Sequence, residues 1–195
     1  MNARYATFAG LLLVFVGSMC VRPADGQVVA PPRAPTTAPE AAATANSLPA
    51  DRDYYMATYY FNSRKWLEAA DEYARFVRSY PRDKRAAEAQ FGHAQSLYYL
   101  GRFRPAAESF QLLLDTYPDF DKRAAATFQL GQCHWNNGQI DDAITAFGQV
   151  SSKYPASYLA EWADAMAAGC QITRKQYLKA ESLLLPLVGK YVTGK

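Results

Sequence analysis

The sequence predicts an all-α protein, a solenoid of four helix-turn-helix repeats with a period of 37 residues. The first observation is a Tyr-Pro pair that recurs at this interval, at Tyr80-Pro81, Tyr117-Pro118 and Tyr154-Pro155. The second is a column of small residues with the same period, at Ala69, Ala106, Ala143 and Ala180. The third is a column of large apolar residues, at Trp66, Phe103, Ile140 and Tyr177. Several columns that share one period are typical of a repeat array.

The chain begins with a segment typical of a secretory signal peptide, which we assign to residues 1–26. Arg4 precedes a charge-free apolar run over residues 6–20, which is shorter than the roughly 20 residues that span a bilayer. Small residues at Ala24 and Gly26 provide a cleavage site. We therefore expect a bacterial periplasmic or secreted protein. The alternatives are an uncleaved anchor and lipidation at Cys20, which would attach the chain to the outer membrane.

Residues 27–50 form a linker rich in Pro, Ala and Thr. Prolines stand at positions 31, 32, 35, 39 and 49, and Arg33 and Glu40 are the only charged residues between Val28 and Ala50. Such a composition cannot bury enough apolar surface to offset its loss of entropy on ordering. Proline also favours the extended polyproline II conformation. The sequence therefore predicts a disordered tether.

The repeats occupy residues 51–195, with units at about 51–86, 87–123, 124–160 and 161–195. Within the second unit Phe103, Ala106 and Phe110 recur at steps of three and four, which places them on one helix face. Gly101 marks the end of the preceding helix, and Pro118 marks the end of this one. Small residues let two helix backbones approach closely. The residues assigned to repeat packing are Ala69, Ala106, Ala143, Ala180, Gly131, Pro81, Pro118 and Pro155.

These columns resemble those of the tetratricopeptide repeat (TPR) family. The third unit carries the family pattern at Leu130-Gly131, Gly138, Ile140, Ala143, Phe147 and Pro155. The resemblance implies a right-handed solenoid without enzymatic activity. The period of 37, against 34 in the family norm, is similar to the bacterial envelope subgroup, which includes the Tol-Pal-associated cell-division coordinator and the outer-membrane barrel-assembly lipoprotein.

The resemblance also implies that the first helix of each repeat lines a concave groove. The columns not used for packing give an aromatic groove with interspersed amides, which suits a protein or peptide segment. The predicted groove residues are Tyr54, Thr58, Phe61, Phe91, Gln95, Tyr98, Tyr99, Phe128, Gln132, Trp135 and Asn136. Some chaperone-binding members clamp a C-terminal carboxylate with Lys and Asn, but those places hold Tyr54, Phe91 and Phe128 here.

No catalytic, cofactor or metal site is predicted. A net charge of +3 is too small to favour a nucleic-acid partner. Cys133 and Cys170 lie one period apart and are expected to be free, buried thiols. His93 and His134 lack neighbouring ligands at metal-binding spacing. The acidic residues Asp119, Asp121 and Asp142 are expected to cap helices or complement their dipoles. The basic cluster of Arg78, Arg82, Lys84 and Arg85 is expected to be a solvated loop.

The last predicted helix is unusually apolar, and Pro186 should kink it or end it early. Because no further unit follows, we expect self-association or a partner through Leu183 and Leu187. The leading functional hypothesis is a non-enzymatic periplasmic scaffold that binds a protein segment, in envelope maintenance or division. One alternative is a structural lipoprotein subunit of an outer-membrane assembly complex, and another is an accessory domain of a secreted enzyme system.

Overall fold

A computed structural model describes residues 49–193, with side chains described through Gly189. Within this range the chain forms eight helices and no strand, which confirms the predicted all-helical array. None of these helices is long and apolar enough to cross a membrane. The predicted signal peptide, Cys20 and the linker up to Leu48 lie outside the described residues. The helices are α1 (Pro49–Asn62), α2 (Trp66–Ser79), α3 (Ala86–Tyr99), α4 (Phe103–Thr116), α5 (Arg123–Asn136), α6 (Ile140–Lys153), α7 (Leu159–Thr173) and α8 (Tyr177–Thr193).

The helices form a stack in which each one packs against the next along the chain. Each repeat pairs a first helix (α1, α3, α5 or α7) with a second helix (α2, α4, α6 or α8). Two pairs of neighbouring first helices also contact one another, α1 with α3 and α5 with α7. Among the described helices, no two second helices contact each other as extensively as these two pairs of first helices do. The first helices therefore form the more closely packed layer.

The tight turn inside each repeat has the same backbone geometry in all four units. Its central residue has a positive φ of 57° at Arg64, 72° at Gly101, 77° at Gly138 and 59° at Lys175. In each unit this residue donates its N–H to the carbonyl three residues back, and the next residue donates to the carbonyl five residues back. These two bonds define a Schellman cap. The two units without glycine thus adopt the same left-handed turn.

Arg64→Gly should raise the free energy of unfolding by about 0.5–1 kcal/mol. The left-handed region of φ strains any residue that has a Cβ, whereas glycine adopts it without strain. Lys175→Gly should have a similar effect. Arg64→Ala is the matched control, since alanine removes the side chain but keeps the Cβ. Chemical denaturation checks the prediction, and a gain from Arg64→Ala equal to that from Arg64→Gly would contradict it.

The turn between repeats begins at the recurring Tyr-Pro pair. Tyr80, Tyr117 and Tyr154 are the C-cap residues of α2, α4 and α6, with φ between −121° and −132°. The proline that follows each of them disfavours the helical conformation of the tyrosine and cannot donate a helical hydrogen bond. Pro81, Pro118 and Pro155 are exposed. They therefore act by ending helices and not by filling the core.

The helices after these turns begin differently from the prediction. The N-cap residue of α5 is Lys122, which makes no side-chain cap hydrogen bond, so capping by Asp119 and Asp121 is not what starts this helix. In each of two other turns, a side-chain oxygen accepts a hydrogen bond from the backbone N–H two residues later in the chain. Asp83 Oδ1 accepts from the Arg85 N–H at 2.9 Å, and Ser157 Oγ accepts from the Leu159 N–H at 3.2 Å.

The core lies between the two layers and is built from small residues and large rings. Ala69, Ala106 and Ala143 are fully buried, and Ala180 is 3% exposed. The rings of Phe76, Phe110 and Phe147 are also fully buried. Two glycines allow especially close packing, because a Cβ on Gly92 would lie 2.6 Å from the Tyr73 ring and one on Gly131 would lie 2.7 Å from the Phe147 ring.

The last helix corrects one expectation. α8 contains Pro186 but continues to Thr193, so the proline does not end the helix early. A proline removes one backbone donor, and the remaining helical hydrogen bonds extend past it. Leu183 is half-buried and packs against a cluster that contains Phe147 and Val150. This leucine therefore serves the fold, while Leu185 and Val188 are exposed.

Candidate functional site

The accessible part of the predicted groove lies near the C-terminal ends of α1, α3 and α5. We call this surface the aromatic face and define it by its members. They are Phe61, Gln95, Tyr98, Tyr99, Gln132, Trp135 and Asn136. Tyr99 and Asn136 are exposed and the other five are half-buried. The members share three columns of the repeat, so equivalent positions of successive first helices form one surface.

Four predicted groove residues pack inside the repeats instead. Thr58 and Phe91 are buried, at 3% and 7% exposure. Phe91 belongs to the same column as Tyr54 and Phe128, and all three rings contact the second helix of their own repeat. The centroid distances are 5.3 Å from Tyr54 to Phe76, 5.8 Å from Phe91 to Phe110 and 5.4 Å from Phe128 to Phe147. This column therefore joins the two helices of a repeat.

A cluster of aromatic rings forms one end of the face. Trp66 and Tyr99 are stacked, with centroids 4.4 Å apart and an interplanar angle of 24°. Phe61 lies edge-on to both rings, at 5.2 Å from Trp66 and 6.1 Å from Tyr99. Tyr98 lies edge-on to Tyr99 at 5.8 Å. Because Tyr99 remains 50% exposed, the cluster presents ring surface to solvent.

The sequence places Trp66 in a column of large apolar residues and not in the groove. Its stacking on Tyr99 joins the second helix of one repeat to the first helix of the next. The signal that could have found it is its place directly after the tight turn, where α1 ends beside Phe61. We therefore regard Trp66 as a support for the aromatic face.

The polar members of the face are amides. Asn136 donates from Nδ2 to the Gln132 carbonyl at 2.8 Å and to Tyr98 Oη at 3.5 Å, which links α5 to α3. Neither glutamine of the face carries a formal charge, and all seven members are uncharged at neutral pH. The surface therefore offers ring faces with amide, phenol and indole donors and no ionic group.

A recurring ion pair joins successive first helices near their N-terminal ends. Arg85 Nη1 lies 2.7 Å from Asp51 Oδ1, and Lys122 Nζ lies 2.7 Å from Glu88 Oε1, one repeat later. At the last junction Leu159 and Ala125 occupy the corresponding columns. In these columns two junctions carry an ion pair and the third carries apolar residues. The third junction has its ion pair elsewhere, between Arg174 at the end of α7 and Asp141 of α6.

Arg85 is part of the fold and not of a free basic loop. Its guanidinium also contacts Asp83 at 2.8 Å and lies 5.1 Å from the Tyr54 ring centroid. The hydrogen bond from Arg85 lowers the pKa of Asp83 to about 2. Of the predicted basic cluster, Arg78, Arg82 and Lys84 are exposed, whereas Arg85 is half-buried. The expectation of a solvated loop therefore holds for only three of its four members.

His93 is held between the two helices of the second repeat. Its Nδ1 lies 3.0 Å from Ser109 Oγ, and Gln90 donates to the same hydroxyl at 2.8 Å. Burial lowers the pKa of His93, and the nearby positive charge of Arg78 lowers it further, against a smaller opposite effect of Asp71. Within residues 49–193 no group of three metal-ligating side chains is found.

The free energy of unfolding should decrease as the pH falls below about 6.5, the ordinary pKa of histidine. Because the folded state lowers the pKa of His93, the unfolded state binds the proton more readily in this window, and stability is lost as the pH falls through the folded pKa. Denaturation of the wild type and His93→Gln at pH 7.5 and 5.5 measures this loss. The free energy of unfolding should decrease less for His93→Gln than for the wild type between these two pH values. For His134→Gln the decrease should equal that of the wild type. Equal losses in all three would contradict the assignment.

Cys133 and Cys170 are free and buried, as the sequence predicts. Burial raises the pKa of each thiol to about 12. Because the thiolate is the reactive form, both cysteines are poor nucleophiles at neutral pH. Each belongs to one of the buried core clusters and contributes packing there.

The geometry agrees with comparisons to known proteins. Two models of the tetratricopeptide repeat match the chain, over residues 53–83 and 91–158. Together they cover 99 of the 195 residues. No curated protein matches the sequence.

Solved structures with helical repeats also resemble the chain. A MamA double mutant from Desulfovibrio magneticus RS-1 is 12% identical, with a TM-score of 0.65 over 78% of this chain and 81% of that one. A putative kinesin light chain from Podospora anserina with TPR-like repeats is 16% identical, with a TM-score of 0.64 over 80% and 83%. The Rap conjugation gene regulator of plasmid pLS20, solved with the Phr* peptide, is 20% identical, with a TM-score of 0.53 over 78% and 47%. At these identities the likenesses show the fold alone.

Proposed function

Because the chain belongs to the tetratricopeptide repeat family, we propose that it is a non-enzymatic scaffold that holds an extended segment of a partner protein on the aromatic face. The observation that carries this proposal is the continuity of the face across three repeats, from Phe61 through Tyr98 to Trp135 and Asn136. Tyrosine and tryptophan supply large contact areas with a polar tip, and such residues dominate the energy of many interfaces.

The amides explain how an extended segment would be held. Peptide groups of an extended chain need hydrogen-bond partners, and Gln95, Gln132 and Asn136 can both donate and accept. The peptide bound to the Rap regulator of plasmid pLS20 supports the proposal, because it shows that a fold of this kind accommodates a peptide. The absence of ionic groups from the face favours a segment that is itself uncharged.

We place this scaffold in the bacterial periplasm, on the basis of the signal-like residues 1–26. The period of 37 residues supports a role in the cell envelope, in maintenance or division. Cell fractionation tests the location, and recovery of the unprocessed chain in the cytosol would overturn it. Self-association through Leu187 is compatible with this role, because Leu187 belongs to α8 and the members of the aromatic face belong to α1, α3 and α5.

Tyr98→Ala combined with Trp135→Ala should weaken partner capture by roughly 1,000-fold, because anchors of this type contribute on the order of 2 kcal/mol each. A photo-cross-linking residue at Asn136 in the cell envelope would report the capture. The same group at Gln111, exposed on the second helix α4, is the positional control. We expect a partner adduct from position 136 only, with loss of the adduct in the double variant.

A stability control separates binding from folding. Ala106→Leu overpacks a fully buried helix contact and should lower the free energy of unfolding by about 1–3 kcal/mol. Tyr98 and Trp135 are half-buried and also pack against core clusters, so partner capture by the double variant is measured under conditions where both it and Ala106→Leu are folded. If folded Ala106→Leu loses the adduct as completely as the double variant, or if position 111 gives the same adduct, the aromatic face is not the binding surface.

A further inference from the structure

The aromatic face has the chemistry of a site for a polyproline II segment. Grooves that bind such segments are lined by aromatic rings, because proline rings pack on them and the preformed helix loses little entropy. Here Phe61 and Tyr98 lie edge-on to Tyr99, whose own ring is 50% exposed. The amide of Gln132 supplies donors for the free carbonyls of such a segment, which has no internal hydrogen bonds.

The chain itself contains a matching segment just before the first helix. Residues 31–39 have the sequence PPRAPTTAP, with a single charge at Arg33. Pro32 and Pro35 are three residues apart, and a polyproline II helix has three residues per turn. These two prolines therefore project from one edge of such a helix. A nearly uncharged segment also matches a face without ionic groups.

The connection is long enough for this segment to reach the face. The helical rise places Pro49 about 18 Å from Phe61 along α1. The ten residues between Pro39 and Pro49 can span about 31 Å as polyproline II. A short tether holds the segment at an effective concentration in the millimolar range. A segment of only millimolar affinity would thus occupy the face about half of the time.

We propose that residues 31–39 of this chain dock on its own aromatic face and compete there with the external partner. The inference rests on the proposed function, since both use the same surface. A partner must then displace the segment. The docked segment therefore sets the minimum affinity that a partner needs in order to occupy the face. Removal of the prolines should raise the apparent affinity for the partner about twofold under these conditions.

Paramagnetic relaxation tests the docking within one molecule. The chain from Gln27 to Lys195, which keeps every described residue, would carry a spin label at Ala42→Cys. Cys133 and Cys170 would remain unlabelled because both thiols are buried and have a pKa of about 12. The three tryptophan indole N–H signals report the position of the label. Trp66 and Trp135 belong to or support the face, while Trp162 on α7 is the internal control.

We expect the Trp66 and Trp135 signals to broaden at least twofold more than the Trp162 signal. Pro32→Ala with Pro35→Ala on the same labelled chain should remove this difference. Equal broadening of all three tryptophans, or broadening that survives loss of the prolines, would overturn the proposal. An isotope-labelled chain mixed with a spin-labelled one tests for a second copy, and broadening in that mixture would overturn docking within one molecule.

The cross-linking experiment keeps the two proposals separate. An adduct at position 136 with no selective broadening leaves the proposed function intact and overturns only the docking of residues 31–39. Selective broadening without any adduct would leave the docking in place, but it would overturn both the proposed function and the competition with a partner.

Discussion

Phe147→Ala should lower the free energy of unfolding by about 3–5 kcal/mol, the usual cost of removing a large buried ring. The Phe147 side chain is fully buried and packs between α5 and α6, against the Phe128 ring at 5.4 Å. Its ring also fills the space left by Gly131, so the cavity cannot collapse without moving a helix backbone. Denaturation followed by circular dichroism at 222 nm would measure the loss.

Leu112→Ala is the matched control for this substitution. Leu112 is 55% exposed on α4, and its truncation removes apolar surface that already contacts water. Exposed positions of this kind usually change stability by less than about 0.5 kcal/mol. If Phe147→Ala costs no more than Leu112→Ala, the arrangement of α5 and α6 described above is wrong.

Gly131→Ala and Gly148→Ala should change stability in opposite directions. A Cβ at Gly131 would lie 2.7 Å from the buried Phe147 ring, so we expect a loss of about 1–3 kcal/mol from overpacking. A Cβ at Gly148, which is exposed on α6, would meet nothing within 4 Å. Alanine there should raise stability by about 0.5–1 kcal/mol, because glycine is a poor helix former.

A double-variant cycle tests whether the Phe147 ring is the cause. Phe147→Leu frees space opposite residue 131, so Gly131→Ala should cost less in that background. Residues in contact typically show coupling energies of 0.5 kcal/mol or more. Strict additivity of Gly131→Ala and Phe147→Leu would show that the clash lies elsewhere.

The repeat architecture can be predicted from the sequence because the two helices of every unit pack against each other in the same way. Columns of alanine and large rings recur wherever two helices must approach, and their period alone indicates eight helices. The column that contains Gly101 and Gly138 is interrupted by Arg64 and Lys175, yet all four residues have positive φ. The hydrogen bonds of the Schellman cap impose this conformation whatever the side chain. The two turns without glycine therefore cannot be recognised from their central residue.

The candidate site was harder to predict, because a helical column does not reveal how its helix is rotated. Tyr54, Phe91 and Phe128 were assigned to the groove as large residues outside the packing columns. In the structure this column faces the second helix of the same repeat, and each of its rings contacts a phenylalanine ring on that helix. Distinguishing the two outcomes requires the angle between helices, which depends on contacts far apart in the sequence.

The position of the ion pairs changes along the stack. The first two junctions carry theirs near the N-terminal ends of the first helices, whereas at the last junction Arg174, at the C-terminal end of α7, pairs with Asp141 of α6. Dissolved salt screens such partly exposed charges, with a Debye length of about 10 Å at 0.1 M, but does not weaken apolar burial. Rising ionic strength therefore acts on one end of the first helices near the linker and on the opposite end at the last repeat.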